Sequence, residues 1–242
     1  MKKLRSIILS FGAILVVLSC FGQKTNREPL IFVNCMIGTG GDGNLLPVAS
    51  VPFGMVQVGA DTHLGNSGYK YSAKEIIGFS HTHMSGAGCN DFKDIMFFPV
   101  SDHSWIGRTR YPEKVSSQFS HEKEIAEPGY YKVTLLNSDI NAEITATERC
   151  AIHRYSFPKG KPQQLIVDLK YCHNSGCTVC QQYNYDTVRI SHLEIVNNYT
   201  IKGYSISDGW LKGVVVNFYA QFSKPFTIAQ IYEKKQLKNN LK

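Results

Sequence analysis

Apolar and polar residues alternate one for one along much of the second half of the chain. Ile140, Ala142, Ile144 and Ala146 fall on one side of such a run, with Asn141, Glu143, Thr145 and Thr147 on the other. Val214, Val216, Phe218, Ala220 and Phe222 repeat the pattern against Asn217, Tyr219 and Gln221. Shorter runs of the same kind are Tyr131-Val133-Leu135, Leu165 to Leu169, Val188 to Ile190 and Tyr199 to Ile206. Side chains on a strand point to alternate faces, so period-two runs bounded by turn residues predict half-buried strands. No stretch after the leader carries the 3.6-residue periodicity of a twelve-residue amphipathic helix. Many strands, regular turns and few short helices predict an all-β fold, a large antiparallel β-sandwich.

From about residue 31 to Val100 the pattern is broken by turn residues, as in Gly38-Thr39-Gly40-Gly41-Asp42-Gly43, Pro52-Phe53-Gly54 and Gly65-Asn66-Ser67-Gly68. Gly and Asn accept the positive φ that tight turns demand, so this region is predicted as loops joining short strands. The glycines do not form a phosphate loop, because no Gly-Lys-Ser/Thr follows and no helix opens after them. The last stretch, 228–242, is polar and rich in Lys and Asn, and is expected to be an irregular tail.

Charge alters the picture only at the ends. The formal net charge is +7 over 242 residues. Lys2, Lys3 and Arg5 crowd one end and four lysines fall in the last ten residues, leaving a nearly neutral body. Such a body has no electrostatic footprint for a phosphate backbone, so no nucleic-acid partner is expected. The basic start precedes an apolar run from Ile7 to Leu18, too short for a membrane span of about 20 residues and suited to a signal peptide. Val17-Leu18-Ser19-Cys20 has the form of a lipobox, which makes Cys20 the expected lipidation site; ordinary cleavage near Gly22 is the alternative. Residues 1–20 are thus expected to direct export, and 21–30 read as a linker.

Seven cysteines in an exported chain raise disulfides. Cys172, Cys177 and Cys180 have part of a plant-type iron–sulfur spacing, but no fourth cysteine follows. A local disulfide, free thiols, or a zinc site with His173 or His192 stay open. The densest polar cluster is Gly78-Phe79-Ser80-His81-Thr82-His83-Met84-Ser85-Gly86, leading to Asp91. Histidines at i and i+2 share a strand face, where they can bind a metal, bind a hydroxyl or simply hold the fold. Ser85 lacks a nucleophile elbow. Among Asp61, Asp91, Asp94, Glu143 and Glu148 nothing singles out the carboxyl pair that glycosidic cleavage needs. Tyr69, Tyr71, Tyr130 and Tyr131 can stack on sugars or fill a core, and Arg149, His153 and Arg154 lie on a predicted strand.

Several of these runs, taken in order, resemble glycoside hydrolase family 92. They are Val33-Asn34-Cys35-Met36-Ile37-Gly38-Thr39-Gly40-Gly41, then Val51-Pro52-Phe53-Gly54-Met55-Val56-Gln57-Val58 with Asp61-Thr62. Ser67-Gly68-Tyr69-Lys70-Tyr71, the His81–His83 cluster, Glu148 to Pro158, Gly203-Tyr204-Ser205 with Gly209-Trp210, and Phe222-Ser223-Lys224-Pro225-Phe226 follow. The resemblance covers 31–227 and implies an N-terminal, mutarotase-like supersandwich that precedes an (α/α)6 barrel. It implies an exported, inverting, calcium-dependent exo-α-mannosidase acting on mannose-containing glycans, with the general acid, the base and most calcium ligands in the barrel. Neither catalytic residues nor a metal site are therefore expected in this chain. Its sandwich is expected to wall the sugar pocket through Asp61, Gly68, Tyr69, His81, Ser85 and Asp91.

The departures are a missing tryptophan between Asp61 and Gly68, Ile152 where an aromatic is common, and the Cys172–Cys180 insertion. With no barrel among its residues, the chain is expected to be a fragment, inactive alone. It is expected in the periplasm or outer membrane of a Gram-negative bacterium, lipid-anchored if Cys20 is modified. The alternative is a carbohydrate-binding lipoprotein without catalysis.

Overall fold

A computed structural model describes residues 28–62, 67–88, 91–105, 115–171, 187–233 and 236–241. The chain separates into two units, 1–33 and 34–242. The described part of the first is a single 3-10 turn, Glu28–Phe32. The second unit is built from strands: β1 (Gly59–Thr62), β2 (Glu75–Ser80), β3 (Met96–Val100), β4 (Ser117–Gln118), β5 (Glu124–Glu127), β6 (Tyr130–Leu135), β7 (Ile140–Ala146), β8 (Ala151–Ser156), β9 (Gln164–Asp168), β10 (Thr187–Asn197), β11 (Thr200–Asp208), β12 (Val214–Gln221), β13 (Ala229–Glu233) and β14 (Gln236–Leu241). Among the described residues helix is limited to short 3-10 turns, and none is long and apolar enough to cross a membrane.

The first sheet runs β1-β2-β3-β9, with β4 added beside β2. The second is the meander β5-β6-β7-β8, the third is β10-β11-β12, and β13-β14 is a separate hairpin. All pairings are antiparallel. The chain is thus all-β, and its core lies between the first two sheets. Ala60, Ile76, Phe79, Met96 and Phe98 from one sheet, with Val58 just before β1, share a buried cluster with Tyr131, Val133, Leu135, Ile140, Ala142 and Ile144 from the other. Each large aliphatic or aromatic side chain withdrawn from water here contributes about 1.5–3 kcal/mol before chain entropy is subtracted.

The second sheet follows the alternation read from the sequence. On β7, Ile140, Ala142, Ile144 and Ala146 are buried, while Asn141, Glu143 and Thr145 face outward. The third sheet keeps the same period, strand β12 presenting Val215, Asn217, Tyr219 and Gln221 to solvent. Strands β1 and β3 are buried along their whole length and β2 nearly so. Covered on both faces, they have no polar row for alternation to reveal.

The expectation of an irregular tail at 228–242 is corrected. Ala229–Glu233 pairs with Gln236–Leu241 in a hairpin, in register from Ala229 opposite Leu241 to Glu233 opposite Gln236. Lys238 lies 3.7 Å from Glu233 across the pair. The register shift at Ile231 and Tyr232 and the Asn239-Asn240 pair interrupt its alternation, so period-two reading passes over it.

Candidate functional site

Strand β1 ends in a bulge between Asp61 and Thr62, where its register against β2 shifts. Bulges re-aim side chains, and this one lies at a buried ion pair. One Asp61 carboxylate oxygen accepts the Ser80 backbone N–H at 2.9 Å, and the other lies 2.8 Å from His83 Nε2. His83 Nδ1 is 2.6 Å from the Gln57 carbonyl, and its Nε2 is also 3.2 Å from the Ser80 hydroxyl, so the ring is tied on both sides. Both side chains are wholly shielded from water. Burial alone would raise the Asp61 carboxyl; the charge and hydrogen bond of His83, aided by the buried Lys93 ammonium and by Ser80, hold it below the usual carboxylate range.

Gly68 closes over this pair. Its φ is +126°, and a Cβ there would lie 2.8 Å from the His83 ring and 3.0 Å from an Asp61 oxygen. Only glycine fits both the backbone and the space.

His81 points into a different chain of hydrogen bonds. Its Nδ1 donates to the Ile95 carbonyl at 2.6 Å, which leaves Nε2 an acceptor. Nε2 of His153, on β8, is 3.0 Å away and so donates. Nδ1 of His153 then accepts from the Tyr155 hydroxyl at 2.8 Å. This relay of neutral rings joins the first sheet to the second. Burial pushes His81 down to about 4, despite the Ile95 carbonyl, and the charge of His83 adds to the effect. Burial, then His81, holds His153 well below the ordinary histidine value.

The loop entering β3 is strained. Phe92, Lys93 and Ile95 have φ of 67°, 64° and 55°, a region that bulky and β-branched residues avoid. Two aspartates hold it in place. Asp91 accepts the Phe92 N–H at 2.8 Å and the Leu211 N–H at 3.0 Å. Asp94 accepts from the hydroxyls of Thr82 (2.9 Å), Ser205 (3.1 Å) and Ser207 (3.4 Å), which tie it to β11. Burial raises the Asp94 carboxyl, and those three donors offset part of the rise.

Tyr69 belongs to a second knot. Its hydroxyl is 2.9 Å from each oxygen of Glu124, which also accepts from Tyr131 (2.6 Å) and His121 Nδ1 (2.6 Å). Burial first, and then the Glu124 charge, raise both phenols. His121 also lies flat on Tyr71, ring centroids 3.9 Å apart. Tyr130 donates to Glu143, whose carboxylate is gripped by Arg154 at 2.8 and 2.6 Å. The Arg154 hydrogen bond, followed by that of Tyr130, draws Glu143 down to about 2.

Of the six expected pocket residues, Asp61 and Gly68 meet at His83, while His81 bonds to Ile95 and His153. Asp91 sits in the neighbouring loop, Tyr69 is buried on Glu124, and Ser85 is exposed. His83, Lys93, Asp94, His153 and Glu124 are the partners that complete the two knots. The i, i+2 histidine spacing pointed to His83; nothing in sequence order joins residue 153 to 81, or 124 to 69.

Every ring nitrogen of His81 and His83 meets a protein group, and the three buried aspartates accept protein donors. Among the described residues no three His, Cys, Asp or Glu side chains converge as a metal site. These residues do not fit a calcium cradle. Cys35 and Cys150 are free thiols. Cys20, Cys89 and the Cys172–Cys180 group, with His173, lie outside the described residues.

The model of the glycosyl hydrolase family 92 N-terminal domain matches residues 32–242. Among solved structures, the family GH92 α-mannosidase BT3965 of Bacteroides thetaiotaomicron is 30% identical, with a TM-score of 0.75, over 86% of this chain and 28% of that one. The same enzyme in complex with mannoimidazole gives 0.74. The GH92 glycosyl hydrolase ccman5 is 27% identical, with a TM-score of 0.68, over 86% of this chain and 28% of its own. An uncharacterized secreted glycosidase of Arthroderma benhamiae is 27% identical over 186 residues, 72% of this chain and 24% of that protein. The chain therefore spans about a quarter of the length of each of these relatives. It belongs to glycosyl hydrolase family 92, an α-mannosidase family, as the N-terminal domain.

Proposed function

We propose that this domain forms the sugar-pocket flank of an exported, calcium-dependent α-mannosidase acting on mannose-containing glycans, and that these residues alone cleave no glycosidic bond. The observation that carries the second half is the state of the buried carboxylates. Asp61 is bound by His83 and Ser80, Asp91 by two backbone N–H groups, Asp94 by three hydroxyls and Glu124 by two phenols and an imidazole. Inverting hydrolysis requires two carboxyls about 6.5–9.5 Å apart with a water between them, one protonated and one free to act as base. Carboxylates saturated by fixed donors are pocket supports instead. The general acid, the base and most calcium ligands then belong to an (α/α)6 catalytic domain that works with this one.

In this reading the Asp61–His83 pair and the His81–His153 relay hold the loops that meet the terminal sugar, with Ser85 on the exposed rim. Export is supported by the secreted relative and by the apolar run behind Lys2, Lys3 and Arg5. Lipidation at Cys20 would place the domain on a periplasmic or outer-membrane surface.

The test is hydrolysis of an aryl α-mannoside by the purified 242-residue chain, with calcium and with chelator. No release above the buffer rate is expected in either. Turnover that rises with calcium would show that a complete catalytic site exists here. Anchoring has its own check: in a Gram-negative host the chain should partition with membranes, and Cys20→Ala should move it to the soluble fraction.

A further inference from the structure

The third sheet has two unlike faces. On one, Ser205 and Ser207 are buried against Asp94. The other carries His192 and Glu194 from β10, Lys202 and Tyr204 from β11, and Asn217 and Tyr219 from β12. Register places Glu194, Lys202 and Tyr219 in one row, and His192, Tyr204 and Asn217 in the next. Residues two apart on a strand share a face, so the six form one surface. They line an open groove of about 470 Å³.

The chemistry of that groove is specific. Tyr204 and Tyr219 are diagonal neighbours, a spacing of about 7–8 Å between strands. The His192 ring stacks beside Tyr204, with centroids 5.6 Å apart. Tyr219 is 67% exposed, so its ring contributes little to the core. The single cation and anion, Lys202 and Glu194, pair at 3.1 Å and leave the groove without net charge. Asn217 adds an amide that both donates and accepts. Aromatic faces beside paired donors and acceptors match a molecule with an apolar C–H face and a hydroxyl rim. A charged ligand would find no unpaired counter-ion there.

We propose that the outer face of the β10–β11–β12 sheet is a second glycan-binding surface, which takes a neutral pyranose across Tyr204 and Tyr219. It lies on the opposite face of the sheet from the Asp94 contacts that tie β11 to the pocket loops. That the pyranose is a mannose unit rests on the reading given above; the surface itself does not.

The test is a chemical-shift titration of the full chain with α-mannobiose and, in a parallel arm, with cellobiose. Shifts should concentrate at 192–194, 202–204 and 217–219. Tyr219→Ala should weaken binding about tenfold, while Tyr219→Trp keeps it. Asn217→Ala, which leaves both rings in place, should also weaken it, and the melting temperature of each variant reports its folding. Cellobiose binding here without mannobiose would uphold the surface and remove mannose as its ligand. Mannobiose shifts confined to residues 81–88 would uphold the pocket reading and overturn this one. The absence of shifts with either sugar, or affinity indifferent to Tyr219→Ala, would overturn it as well.

Discussion

Asp61, Asp91, Asp94 and Glu124 are each held by a partner from another segment, so single substitutions should have unequal and predictable costs. Asp61→Asn removes the anion facing a shielded His83 and should cost about 3–5 kcal/mol in denaturant unfolding. Gly68→Ala places a Cβ against the same pair at a φ that suits only glycine, and should cost about 1–3 kcal/mol. The His81–His153 relay makes a pH prediction. A histidine whose folded value lies below its unfolded value, near 6.5, binds fewer protons folded than unfolded. Stability therefore falls as pH drops from about 6.5 to 4, the folded value of His81, and this contribution flattens below that. The loss is up to about 3 kcal/mol for His81. His81→Gln should flatten that part of the pH–stability curve. Asp61 acts lower: its folded value is depressed, so its stabilisation disappears only as pH falls below the ordinary carboxylate value. A curve for His81→Gln as steep as that of the unchanged chain would show that this histidine does not titrate on unfolding.

Among the elements, what could be read in advance depended on how many faces each strand exposes. Strands β7 and β12 each keep one wet face, so Asn141, Glu143 and Asn217 mark them at once. Strand β3, Met-Phe-Phe-Pro-Val, is buried throughout and shows no alternation, so period-two reading does not mark it. The hairpin at 229–241 escapes period-two reading for another reason, since a register shift at Ile231 and Tyr232 and the Asn239-Asn240 pair interrupt its alternation. Site residues divide in the same way. Asp61, Gly68 and His81 fall within one run of motifs, so sequence order groups them. Glu124 approaches Tyr69 across 55 positions, and His153 approaches His81 across 72, distances that no local pattern spans. Glu124 is the joint between elements: its strand, β5, opens the second sheet, and it collects Tyr69 from the loop before β2 and Tyr131 from β6. Tyr131→Phe should cost about 1 kcal/mol, since one donor is lost. Glu124→Ala should cost about 3 kcal/mol or more, because two phenols and an imidazole lose their acceptor together. Equal melting-temperature losses for the two variants would remove the joint.

At the scale of the whole molecule, the domain shows several large apolar side chains to water, and Phe53 is the extreme case. It is fully exposed, and Met55, two residues on, is 61% exposed. Its backbone has φ of 60°, inside a turn closed by the Gly54 N–H on the Val51 carbonyl. A phenylalanine gains nothing from that conformation, and its ring gains nothing from solvent, so the isolated domain carries both costs without return. Large exposed apolar groups promote association between copies when no partner covers them. The chain alone should therefore associate increasingly with concentration in sedimentation velocity. Phe53→Gly tests both costs together. Glycine enters the positive-φ region without steric strain, which favours the folded state, although its freer unfolded chain offsets part of the gain. The net change in stability should lie between zero and about +1 kcal/mol. Self-association should weaken at the same time. A variant less stable than the parent by more than about 1 kcal/mol would mean that the Phe53 ring is held by the fold after all. Unchanged association would place the sticky surface elsewhere, with Ile152 on the outer face of β8, 68% exposed, the next side chain to remove.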